Sequence, residues 1–143
     1  MDRKLIAKAS TTIQAPVSKV WDALVDPAMI KQYMFGTTVA SDFKKGSPIT
    51  WKGEWQGKKY EDKGVILDLQ PQRKLAYSHF SPLSGLPEKP ENFHNVTIEL
   101  ADKGKQTLVS LSQDNNADEK ERDHSQKNWE MMLSGLKKLL ESS

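Results

Sequence analysis

Ile13-Gln14-Ala15-Pro16-Val17-Ser18-Lys19-Val20-Trp21-Asp22-Ala23-Leu24-Val25-Asp26-Pro27 reads as a strand end running into two short helices. Pro16 suits a first helical position, where a missing N–H leaves no partner unsatisfied. Val17, Val20, Trp21 and Leu24 then recur at helical spacing and form one apolar stripe about two turns long. Asp26-Pro27 supplies a capping oxygen and a second proline, so the pattern restarts through Ile30, Tyr33 and Met34 rather than continuing as one helix.

Downstream, short strands alternate with turn signals at Lys44-Lys45-Gly46, Gln56-Gly57, Pro71-Gln72-Arg73 and Ala101-Asp102-Lys103-Gly104-Lys105. A meander of about six strands results. Strand parity puts Ile49, Trp51 and Trp55 on one face, and likewise Leu75 with Tyr77, Val96 with Ile98 and Leu100, and Val109 with Leu111. The opposite faces are polar, so the sheet needs one cover, and the segment long enough is a helix over roughly Asp118 to Glu141. That helix is divided. Trp129, Met132, Leu133, Leu136, Leu139 and Leu140 make an apolar second half, whereas the same stripe traced backward meets Ser125, Glu121 or Arg122, and Asp118. Asp118 and Glu121 predict a capping box at its start. The fold class is α+β, and residues 1–143 read as a single domain without linker or repeat.

At this length about two-thirds of the unfolded surface can be buried, enough for a core without staples. The chain has 21 basic and 19 acidic residues, and their scatter argues against a nucleic-acid partner. With no cysteine, disulfides, thiolate nucleophiles and cysteine-ligated zinc are excluded, and a cytoplasmic location is expected. The N-terminal apolar run is too short for a signal peptide, and no later segment reaches the ~20 apolar residues of a membrane span. A soluble monomer without stable membrane insertion is the expectation.

The parity that carries Tyr77, Val96 and Leu111 inward also carries His79, His94 and Gln113 inward, and the meander brings these three to one end of the sheet. Trp55 and Tyr60 belong to that end too. Polar groups buried there without partners would each cost about 1–3 kcal/mol, so they are hydrated, paired or ligand-bound. Residues 81–92, rich in proline and far longer than a hairpin needs, form either a semi-rigid surface loop or a flap over this end. Ser41-Asp42-Phe43-Lys44 lacks the partner motifs of acyl-transfer enzymes, and residues 53–59 lack the spacing of a phosphate loop. The three histidines have no zinc-ligand spacing, so neither metal nor cofactor is expected, and no catalytic motif is recognised. His79 and His94 have the chemistry of an acid–base pair, without a feature that selects it over hydrogen bonding.

Ile13-x-Ala15-Pro16-x-x-x-Val20-Trp21-x-Ala23-Leu24, Gly64 through Pro71 to Leu75, Thr107, and Trp129 with Leu133 and Leu136 together resemble the activator of heat-shock protein 90 ATPase homologue-like family, within the START-like and birch-pollen-allergen-like (SRPBCC) superfamily. The resemblance spans almost the whole chain. It implies a helix-grip fold: a curved antiparallel sheet of about seven strands around the C-terminal helix, with two short helices after the first strand. It also implies a hydrophobic cavity between sheet and helix, used by related proteins for lipids, sterols or polyketides. In that cavity Trp51, Tyr77, Val96, Leu111, Trp129 and Met132 would be apolar wall, with Trp55 at the same end, and His79, His94 and Gln113 would orient a polar group. The expected function is binding of a small, mainly hydrophobic molecule. The alternatives are a chaperone-ATPase-activating interaction module, or a cyclase or hydrolase using the same cavity. This chain has His79 near a position where the family often has tryptophan, and Asn128-Trp129 in place of Gly-Trp, which makes the cavity more polar.

Overall fold

A computed structural model of the protein describes residues 5–34, 36–55, 57–81, 87–116 and 118–142, with the side chains of Trp55 and Pro90 outside the described set. Strand β1 (Ala7–Ile13) leads into helices α1 (Val17–Val25) and α2 (Pro27–Tyr33). Strands β2 (Thr38–Ser41), β3 (Pro48–Trp55), β4 (Lys58–Gln70), β5 (Lys74–His79), β6 (His94–Asp102) and β7 (Thr107–Gln113) follow, and helix α3 (Glu119–Glu141) closes the chain. The strands form one seven-stranded sheet in the order β1-β7-β6-β5-β4-β3-β2, and the pairings are antiparallel. β1 and β2 lie at opposite edges, so the α1–α2 pair carries the chain from one edge to the other.

The opening segment folds almost as its residues direct. Pro16 is the residue before the helix, with extended ψ of 155°, so α1 begins one position later than the proline rule predicts. Pro16 has no donor or side-chain acceptor to offer; its carbonyl accepts from Lys19 and Val20 at 3.0 and 3.2 Å. Asp26 does cap α2, its Oδ1 accepting from Ala28 N at 2.9 Å with Pro27 in the first turn. The stripe Val17, Val20, Trp21 and Leu24 is buried. It joins Ile13, Val109, Leu133, Leu136 and Leu140 in one core beneath the second half of α3. Lys137 fixes that half to β1, donating to Thr12 O at 2.6 Å and to Glu141 at 2.7 Å.

β4 governs the curvature. Its ladder with β5 shifts register between Ile66 and Asp68, a bulge that lets both Ile66 and Leu69 meet the core and leaves Val65 and Leu67 exposed. One turn of strand earlier, Gly64 is pressed against the Ser78 backbone carbonyl so closely that no Cβ fits. There Ser78 Oγ, not a backbone carbonyl, accepts from Val65 N at 3.0 Å. His79 lies next to this pinch.

α3 is divided as its pattern predicts. Its buried residues are Met132, Leu133, Leu136 and Leu140, and residues 119–128 contribute none. Asp118 caps it through a 2.8 Å bond from Glu121 N. The reciprocal half of the expected capping box is replaced, because the Glu121 carboxylate points to His94 at 3.7 Å. No helix among the described residues is long and apolar enough to cross a membrane.

Candidate functional site

Beside Trp129, where the two halves of α3 meet, the sheet end leaves a cavity of about 320 Å³ lined by Met34, Thr37, Trp51, Tyr60, Asp62, Tyr77, His79, Ser81 and Trp129. Alternation places Trp51 on β3, Tyr60 and Asp62 on β4, and Tyr77 and His79 on β5 along one concave face. Trp51 is the corner of this wall. Its ring centroid lies 5.1 Å from that of Tyr77 at 47°, and 5.0 Å from that of His79 at 67°. Burial pushes the Tyr77 phenol well above its ordinary pKa, so it stays neutral.

The polar side consists of two pairs. His79 Nε2 lies 2.9 Å from Asp62 Oδ2, with the two side chains 29% and 15% exposed. Asp62 Oδ1 is buried with no hydrogen-bond partner among the described residues. Thr37 Oγ1 and Tyr60 OH share a 2.7 Å bond. Tyr60 reaches Thr37 by lying across Gly53, where an added Cβ would collide with the phenol ring. Gly53 thus holds open the path that puts Tyr60 at the wall.

The structure places the predicted residues differently from one another. Trp51, Tyr77, His79 and Trp129 line the cavity. Val96, Leu111 and Met132 are buried in the core cluster, away from the lining. Gln113 is buried behind the wall, and its Oε1 accepts the Trp129 indole N–H, so it positions a lining residue instead of lining itself. His94 sits directly across the ladder from His79. Its Nδ1 is 2.9 Å from Asp114 O and its other nitrogen faces Glu121, so it ties the sheet to the start of α3 and stands apart from the lining. The two histidines therefore do not form an acid–base pair around the cavity. The Trp55 side chain lies outside the described residues, as do residues 82–86 of the segment read as a loop or flap.

Asp62 and Thr37 did not stand out in the sequence. For Asp62 the signal was present: the parity that places Tyr60 inward carries Asp62, Gly64 and Ile66 inward with it. Thr37 lies just before β2 and follows no periodic pattern. A further buried polar residue, Asn116, donates to Leu5 O at 2.8 Å and to Gln113 O at 3.1 Å, and accepts from Ser125 at 3.2 Å. It locks the polar half of α3 over the sheet. Among the described residues no three His, Cys, Asp or Glu side chains gather as metal ligands.

Comparison with known structures follows the same lines. A protein from Cytophaga hutchinsonii solved in solution is 60% identical, with a TM-score of 0.86 over 99% of this chain and 97% of its own. The Aha1 dimer from Colwellia psychrerythraea is 20% identical, with a TM-score of 0.74 over 96% of each chain. A putative protein in the dynemicin biosynthetic locus is 17% identical, with a TM-score of 0.78 over 95% of this chain and 47% of its own. These last two likenesses show the fold alone. No curated protein matches this chain in sequence. The family described as activator of Hsp90 ATPase homolog 1-like protein matches residues 14–141. With the helix-grip architecture and that match together, the chain belongs to the activator of Hsp90 ATPase homolog 1-like family.

Proposed function

We propose that this protein binds a small, mainly hydrophobic molecule in the cavity between the sheet and α3. The supporting observation is the wall itself: Trp51, Tyr77, Trp129 and Met34 beside a few convergent polar groups, around a volume of about 320 Å³. Small-molecule sites combine apolar walls with a few placed polar groups in volumes of about 300–1,000 Å³. His79, Asp62, Thr37 and Tyr60 are those groups here. Likeness to a putative protein in the dynemicin biosynthetic locus supports a small-molecule role. Native mass spectrometry and ligand-detected NMR against lipid and aromatic-metabolite libraries test this, and a chain that binds nothing in either library contradicts it.

A second reading, stimulation of a chaperone ATPase through the surface, draws support from the family description and from likeness to the Colwellia Aha1 dimer. Adding the protein to its own organism's chaperone would raise the ATPase rate on this reading, and an unchanged rate counts against it.

A further inference from the structure

Among the described residues nine line the cavity, and Trp51, Tyr60, Tyr77 and Trp129 give it four aromatic side chains of the phenol and indole kind. Among the described residues, Asp62 is the one lining carboxylic acid, and no lining Lys or Arg accompanies it. Two lysines that neighbour lining residues in sequence are directed elsewhere. Lys52 pairs with Glu61 at 3.9 Å with both side chains exposed, and Lys63 pairs with Glu88. Residues 82–86, Pro-Leu-Ser-Gly-Leu, which follow Ser81 in sequence, carry no charge. His79 holds one Asp62 oxygen, and the other is buried without a partner among the described residues. His79 thus engages Asp62 Oδ2 alone, and Oδ1 is the acceptor left unfilled at this wall. Burial keeps the Tyr77 phenol neutral, so it adds no charge to this wall.

An anionic head group would meet this carboxylate with no lining Lys or Arg among the described residues to pair with. A cation would meet both a carboxylate and aromatic rings, whose negative faces attract organic cations. Resting on the cavity reading above, we infer that the ligand is an organic cation: an amine or ammonium carried on an aromatic or short aliphatic frame. The same wall disfavours fatty acids, acyl phosphates and other anions. Asp62 supplies the countercharge, His79 orients it, and Trp51, Tyr77 and Trp129 enclose the frame.

Three indoles of matched shape test the inference on the intact protein by NMR titration: tryptamine with an ammonium, tryptophol with a hydroxyl, and indole-3-propionate with a carboxylate. Tryptamine is expected to bind about tenfold tighter than tryptophol, and indole-3-propionate about tenfold weaker than tryptophol. In Asp62→Asn the three affinities should converge; where that variant does not fold, the native series decides alone. Equal binding of tryptamine and tryptophol, or preference for the carboxylate, overturns the cation assignment and leaves the cavity reading standing. If none of the indoles binds while a neutral library compound does, the cation assignment again fails alone. Silence of all three indoles and both libraries overturns both.

Discussion

The two ends of α3 rest on the same sheet and obey the same alternation, yet they meet different chemistry. Under Leu133, Leu136 and Leu140 the inward positions are Ile13, Val20 and Val109, and the space is filled. Under Trp129 the inward positions are Trp51, Tyr77, His79 and Asp62, and about 320 Å³ stays open. One end holds the fold, and the other is shaped at the expense of packing. The difference teaches that burial alone does not define a core position. Gln113 is buried where it holds the Trp129 indole, whereas Leu136 is buried as a member of the hydrophobic core.

The comparison is broken most severely at the filled end. Leu136→Ala should lower unfolding free energy by about 2–5 kcal/mol in urea melts, because a fully enclosed leucine leaves a void that its neighbours fill only in part. Met34→Ala, at the wall of space already open, should cost clearly less. Equal losses would mean that the open end is packed as tightly as the closed one.

Gln113→Leu comes next. It leaves the Trp129 indole N–H without its acceptor and should cost about 1–3 kcal/mol, with the Trp129 indole resonance moving upfield. A change confined to stability, with the indole signal fixed, would show that Gln113 does not position Trp129.

Alkaline pH probes two buried phenols, one bonded to α1 and one in the cavity wall. Burial raises both Tyr33, which donates to Ala23 O at 2.9 Å, and Tyr77. Unfolded tyrosine ionises near pH ~10, so stability from these two groups is complete below that pH and is lost as pH rises above it. Each phenol that ionises only on unfolding should contribute a slope of about 1.4 kcal/mol per pH unit. Phenolate absorbance set against unfolding checks this; ionisation of Tyr77 in the folded protein well before Tyr33 would show that water reaches the cavity wall.

The smallest effect belongs to the tie between His94 and the start of α3. Glu121→Gln removes one partner of a half-exposed pair held at 3.7 Å. It should cost no more than about 1 kcal/mol and raise amide exchange only in the first turns of α3. Exchange spreading to Leu133 and beyond would show that the two halves of the helix are not independent.

Much of this division was legible in the sequence. Helical spacing from Trp129 to Leu140 and its failure back to Asp118 marked the two halves of α3. Strand parity brought Trp51, Tyr77 and His79 to one face. Parity alone could not tell wall from filling, because Val96 and Leu111 face inward as Tyr77 does and only the depth of the sheet's curve separates them. His94 misled for a related reason. It is opposite His79 in the ladder, but the Asp114 carbonyl and Glu121 turn its ring to the helix start, and side-chain direction at a strand end is set by partners that spacing does not show. Gly64 marked the pinch beside His79 only once Ser78 was seen against it.

The central claim is that the polar end of the sheet is open to a ligand while the other end is closed. Indole N–H resonances measure both ends at once, since Trp21 is in the filled core and Trp51 and Trp129 line the cavity. On titration with a bound library compound, the Trp51 and Trp129 indole signals should shift together and saturably while Trp21 stays fixed. Movement of Trp21 with an unmoved Trp51 and Trp129 would contradict the account.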